Sequence, residues 1–95
     1  MKENKLNIII KLIINEYNPK KVILFGSRSK GTNSFNSDFD LAIDSNKIDF
    51  RTKRKFHEKI ENIIGLHKID MVYLNEIEES FRKIILKTGK ILYER

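Results

Sequence analysis

The sequence predicts an α/β (α+β) protein in which a small mixed β-sheet is flanked by helices. Three observations predict this class: apolar residues recur at helical spacing in three segments, short apolar runs lie between those segments, and turn residues separate them. The chain has 95 residues and shows no internal repeat or linker-like tract. Residues 1–95 are therefore expected to form a single domain.

The three predicted helices have recognisable ends. The first, over 6–17, ends where Pro19 disfavours helical geometry in the residue before it. The second spans 50–64. The third begins near Asn75, because the glutamates that follow complement a helix dipole, and it ends at Gly89.

The strands are predicted from short runs of branched and aromatic residues. Residues 21–25 read as a buried strand that ends in a turn, and 38–44 alternate in the way that gives a strand two different faces. A third strand is predicted at 68–74. Residues 90–94 form either an edge strand or a docking tail.

Composition excludes several classes of function. The chain has no cysteine, which excludes disulfides, thiolate zinc sites and cysteine nucleophiles and makes the cytoplasm the expected compartment. Its apolar runs are too short to span a bilayer, so we expect no membrane segment. Neither His57 nor His67 lies at zinc-site spacing from other ligands, and we interpret both as structural or exposed. The net charge of +6 favours an anionic partner.

Two aspartates at the start of the second predicted strand form the most informative pattern. Residues two apart in a strand project from one face, so Asp38 and Asp40 can bind shared metal ions. Asp70 begins the third strand and would reach the same end of the sheet if the two strands pair. Carboxylates are ligands that Mg²⁺ prefers. We therefore predict that these three aspartates are catalytic and hold Mg²⁺, with two ions serving an in-line displacement.

The Gly-Ser pair after the first strand predicts a nucleotide-binding turn. Gly26 lets the backbone approach a phosphate closely. Residues 27–32 are expected to form a short helix with Ser27 near its N-cap, so Ser27 offers its hydroxyl and amide at a helix N-terminus. Arg28 and Lys30 are either further nucleotide-binding residues or solvated surface charges. A P-loop is rejected, because Thr32 occupies the place of its required lysine.

Gly26-Ser27, ten intervening residues and Asp38-Phe39-Asp40 together resemble the signature of the DNA polymerase β-like nucleotidyltransferase superfamily. Over nearly its whole length the chain is similar to the minimal nucleotidyltransferase (MNT) branch, which is found beside HEPN-domain proteins in toxin–antitoxin pairs. The resemblance implies the polymerase β-like palm fold. It also implies metal binding by the aspartates that match Asp38, Asp40 and Asp70.

The same resemblance implies an activity. An MNT antitoxin transfers AMP from ATP onto a tyrosine of its HEPN toxin, as a protein adenylyltransferase. Two alternatives stay open: a catalytically silent antitoxin that neutralises its partner by binding, and a small basic nucleic-acid-binding module. The basic cluster at 51–55 has no interleaved aromatic platform, so nucleic acid is the weaker alternative and a solvated helix start is favoured.

Overall fold

The computed structural model describes residues 5–25, 39–64 and 69–95. In chain order the elements of these ranges are α1 (Lys5–Tyr17), β1 (Lys21–Phe25), β2 (Phe39–Asp44), α2 (Phe50–Ile64), β3 (Ile69–Tyr73), a 3-10 turn (Leu74–Glu76), α3 (Glu79–Thr88) and β4 (Lys90–Glu94). None of the helices in these ranges has the length and apolar character needed to cross a bilayer.

The four strands form one mixed sheet in the order β3-β2-β1-β4. β1 pairs antiparallel with both β2 and β4, whereas β2 and β3 are parallel. A parallel pair needs a crossover connection, and α2 lies between β2 and β3 in the chain. The predicted mixed sheet flanked by helices is confirmed. Residues 90–94 form an edge strand, so they are not a docking tail.

The larger of two apolar cores lies between one face of the sheet and helices α1 and α2. Its members alternate along the strands with residues that face the other way, as a pleated sheet requires. The buried residues of this core are Ile9, Ile13, Val22, Leu41, Ile43, Phe56, Ile60, Met71 and Tyr73. Since a side chain of this size stabilises the fold by about 1.5–3 kcal/mol when buried, this core fixes the register of the strands.

A smaller core lies under α3 on the opposite face. Ile85 of α3 packs there with Ile23, Ala42 and Leu74. Helix α3 ends at Gly89, as predicted, and the Gly89 N–H donates a 2.8 Å hydrogen bond to the Ile85 carbonyl. This smaller core covers only part of the face of the sheet beneath α3.

The end of α1 and the start of α3 show where local sequence signals predict a helix boundary correctly and where they do not. Asn18 ends α1 in the left-handed region, with φ of 48°, and its N–H donates to the Ile14 carbonyl at 3.0 Å. The start predicted near Asn75 is wrong, because α3 begins at Glu79. Leu74–Glu76 form a 3-10 turn instead, with Leu74 buried in the smaller core.

Candidate active site

Asp40 and Asp70 are brought together by the parallel pairing of β2 and β3. They are direct register partners, each the second residue of its strand. Neighbouring strands lie about 4.8 Å apart, and paired residues project from the same face. Asp40 is half-buried and Asp70 is exposed. The two carboxylates therefore stand side by side, with water able to reach both.

The face that carries these aspartates is only partly covered. Alternation along β2 places Asp40 on the same face as Ala42, which is buried beneath α3. Among the described elements, helix α3 packs chiefly on β1, and Asp70 near the beginning of the edge strand β3 is exposed. Within the described ranges the site is therefore an open surface at one end of the sheet.

An aromatic pair, Phe25 and Phe81, borders the carboxylates. Phe25 ends β1 and is the register partner of Asp40. Its ring meets that of Phe81 from α3 edge to face, with centroids 5.8 Å apart and ring planes at 76°. Neither residue is among the predicted site residues, although Phe25 directly precedes Gly26 and so adjoins the predicted nucleotide turn.

Five of the predicted site residues lie outside the described ranges. They are Gly26, Ser27, Arg28, Lys30 and Asp38. The described strands nevertheless show where the segment containing them is attached, because β1 ends at 25, β2 begins at 39, and Phe25 pairs with Asp40. Both attachment points therefore lie at the end of the sheet that carries Asp40 and Asp70.

The donor set suits a hard cation. Two carboxylates project from one face at neighbouring positions, and oxygen ligands of this kind are those that Mg²⁺ prefers while it keeps water or phosphate as its remaining ligands. Within the described ranges no group of three or more acidic or histidine side chains converges on a metal position. Asp38, the remaining predicted ligand, precedes the first described residue of β2.

A second polar cluster lies on the opposite face and has a structural role. The hydroxyls of Tyr17 and Tyr73 share a 3.0 Å hydrogen bond, and Nε2 of His57 lies 3.3 Å from the Tyr73 hydroxyl. Lys53 donates to both carboxylate oxygens of Glu76 at 2.6 Å, and its Nζ lies 4.6 Å from the centroid of the Tyr73 ring. These contacts tie α1, α2 and β3 together.

The titration behaviour of this cluster follows from its burial. Burial lowers the pKa of the His57 imidazole below its ordinary value of 6.5. Burial also raises the pKa of the Tyr73 phenol. The pKa of the Tyr17 phenol is raised well above its ordinary range, chiefly by burial and further by the hydrogen bond to Tyr73. All three side chains are therefore neutral at pH 7, as members of a packed hydrogen-bond network should be.

Comparison with known proteins shows the family to which the chain belongs. The profile of the family described as Polymerase beta, Nucleotidyltransferase, matches residues 7–95. A curated relative, the protein adenylyltransferase MntA of Aphanizomenon flos-aquae (strain 2012/KM1/D3), is 33% identical over 91 residues. That alignment covers 79% of this chain and 57% of the relative, so the chain spans little more than half of the length of the protein it matches.

Solved structures share the fold. A chain of a toxin–antitoxin crystal structure with AMP-PNP is similar at a TM-score of 0.76 and 27% identity, over 98% of this chain and 75% of that one. A chain from a tri-AMPylated HEPN toxin of Shewanella oneidensis in complex with MNT antitoxin is similar at 0.72 and 22%, over 96% and 71%. The family match over nearly the whole sequence confirms the resemblance drawn from the Gly-Ser and aspartate pattern. This chain belongs to the Polymerase beta nucleotidyltransferase family.

Proposed function

We propose that the chain is a Mg²⁺-dependent nucleotidyltransferase that transfers AMP from ATP to a tyrosine hydroxyl of a HEPN-domain toxin. The observation that carries this proposal is the register pairing of Asp40 with Asp70 on an uncovered end of the sheet. A pair of carboxylates used only as solvated strand ends would gain nothing from this placement, since like charges on neighbouring strands repel.

Each group of predicted site residues has its own role in the proposed transfer. Asp38, Asp40 and Asp70 would hold Mg²⁺, which when bound neutralises triphosphate charge and favours the deprotonated acceptor hydroxyl. Gly26 and Ser27 would hold the triphosphate tail through backbone and hydroxyl donors. Arg28 and Lys30 are candidates for further phosphate contacts, in keeping with the net charge of +6.

The transfer is an in-line substitution at phosphorus. The acceptor oxygen forms a bond to the α-phosphorus while the bond from that phosphorus to the bridging oxygen breaks, and pyrophosphate leaves. The proton of the hydroxyl passes to a carboxylate or to water. Asp70 is suited to the acceptor side, because it is exposed on the edge strand where a protein partner can approach.

The relatives support the choice of nucleotide and acceptor. One is named a protein adenylyltransferase, one complex contains an ATP analogue, and another contains a HEPN toxin carrying three AMP groups. This chain shares its fold with the solved structures among them.

The proposal is tested by intact mass spectrometry of a co-purified HEPN-domain partner after incubation with this chain, ATP and Mg²⁺. We expect the partner to gain the mass of one or more AMP groups with the wild type and none with Asp40→Asn. Asp44→Asn is the matched control, since Asp44 lies on the same face of β2 at its other end, and it should transfer normally.

Two outcomes would contradict the proposal. A partner that is bound and inhibited without any gain in mass would show a silent antitoxin that acts by binding. Binding of RNA or DNA with a steep dependence on salt, in the absence of any transfer, would show the nucleic-acid-binding module instead.

A further inference from the structure

The aromatic pair beside Asp40, Phe25 and Phe81, has no role in the proposed transfer chemistry. We infer that the ring of Phe81, held in place by Phe25, is the surface on which the nucleobase of the nucleotide substrate stacks. This inference rests on the proposed nucleotidyltransferase function and adds a nucleobase-binding residue to it.

The first support is position. Phe25 and Asp40 are cross-strand partners, so their Cα atoms lie about 5 Å apart. The centroid of the Phe81 ring lies 5.8 Å from that of the Phe25 ring, on the same face of the sheet. Phe25 is therefore the shared neighbour of Asp40 and Phe81. A nucleobase is separated from its α-phosphate by the ribose, so an aromatic surface near the carboxylates suits it.

The chemistry of the transfer favours the nucleobase over the acceptor tyrosine as the group on this ring. A tyrosine carries its reactive oxygen directly on the ring, so the ring must lie close to the α-phosphate during transfer. The nucleobase, which takes no part in the bond changes, has no such constraint.

The second support is exposure. Phe81 remains 37% exposed although one side of its ring packs against Phe25. Packing against a fixed neighbour restricts the ring, so little side-chain freedom is lost when a ligand stacks on it. Stacking on an aromatic face is tolerant of base identity, because every base has a π-face. The surface would therefore bind a nucleobase without selecting adenine by hydrogen bonds.

The experiment measures the affinity of the full chain for AMP-PNP and for inorganic tripolyphosphate, each with Mg²⁺, by calorimetry. Tripolyphosphate offers the phosphate charge without a base. We expect Phe81→Ala to weaken AMP-PNP binding about tenfold, the effect typical of one lost stacking contact, and to leave tripolyphosphate binding unchanged.

Two further variants separate the loss of stacking from a general loss of folding. Phe81→Leu retains an apolar contact with Phe25 but has no aromatic face, and it should lose the same affinity for AMP-PNP. Phe81→Trp retains the aromatic face and should bind like the wild type. Leu86→Ala is the matched control on the same helix, because Leu86 is 49% exposed and outside the aromatic pair.

Several results would overturn the inference. Unchanged AMP-PNP affinity in both Phe81→Ala and Phe81→Leu would remove the stacking role, and weaker capture of a HEPN-domain partner by those variants would then assign the ring to the acceptor. Equal weakening of both ligands would show that Phe81 only supports the packing of the site. If the wild type binds neither ligand, the nucleotidyltransferase proposal itself fails, a result distinct from the other two.

Discussion

Asp40 and Asp70 meet as register partners at the beginning of two parallel strands, and Asp70 is the more exposed of the two. We expect Asp70→Asn to lower AMP transfer about 10²-fold or more, since the amide keeps the shape of the side chain and removes the negative charge. Thermal denaturation should change little, because the side chain is exposed. Mass spectrometry of the partner measures the transfer. Wild-type transfer by this variant would remove Asp70 from the metal site.

The Tyr73 hydroxyl joins Tyr17 and His57 at 3.0 and 3.3 Å. We expect Tyr73→Phe to lower the free energy of unfolding by about 1–2 kcal/mol, because it deprives both partners of a hydrogen bond. The midpoint of thermal unfolding should fall by several degrees, at about 4–8 °C per kcal/mol for a domain of this size. Transfer activity of the folded protein should persist, since the cluster lies on the other face of the sheet.

A control for this variant is Tyr93→Phe. Tyr93 is half-buried in β4, and its hydroxyl makes no hydrogen bond to the described part of the chain. This change should therefore cost less stability than Tyr73→Phe. Equal losses for the two variants would show that the shared hydroxyl contacts contribute little.

The lowered pKa of His57 predicts a dependence of stability on pH. Burial holds the folded-state pKa below the ordinary value of 6.5, so the unfolded chain binds the proton more readily than the folded one. The stability contributed by neutral His57 is complete above about pH 6.5 and is lost as pH falls towards the folded-state pKa. Nearby Glu61 and Asp70 oppose this lowering, and Lys53 adds to it.

His57→Gln tests this effect without deleting a polar partner for Tyr73. Urea unfolding at several pH values should give a wild-type stability that falls more steeply below pH 6.5 than that of the variant. Above that pH the difference between the two proteins should be constant. Parallel curves across the whole range would contradict the lowered pKa.

Gly89 is required by close packing. A Cβ at this position would collide with the Ile23 side chain and lie 2.7 Å from the Ile85 carbonyl oxygen. We expect Gly89→Ala to destabilise the fold by about 1–3 kcal/mol, as overpacking of a core does. Lys87→Ala in the last turn of the same helix is an exposed control and should stay within about 0.5 kcal/mol of the wild type. Chemical denaturation measures both.

Sequence reasoning succeeded where one local rule decided the outcome. Alternation along 38–44 placed Asp40 on one face, and the expectation that Asp70 would reach the same end needed only that β2 and β3 pair, which they do. Pro19 and Gly89 marked helix ends for similarly local reasons. The roles assigned to Asp38, Asp40 and Asp70 remain predictions, although their pattern led directly to the family.

Sequence reasoning failed where a side chain's contacts come from distant parts of the chain. Lys53 belonged to a basic cluster interpreted as a solvated helix start, yet its side chain is only 19% exposed and pairs with Glu76 over the Tyr73 ring. Ile63 and Ile84 lie at helical spacing from other apolar residues of α2 and α3, yet both are about half exposed. Helical spacing shows which residues share a face, not how much of that face another element covers.

The central strand β1 has one neighbour from the middle of the chain and one, β4, from far along the sequence. During synthesis, β1 can be paired with β2 long before β4 has left the ribosome. One edge of β1 then remains open to other strands for the whole of that interval. Pairing across such a sequence separation is slow to form, so this edge of β1 is protected only once β4 has been made and has paired.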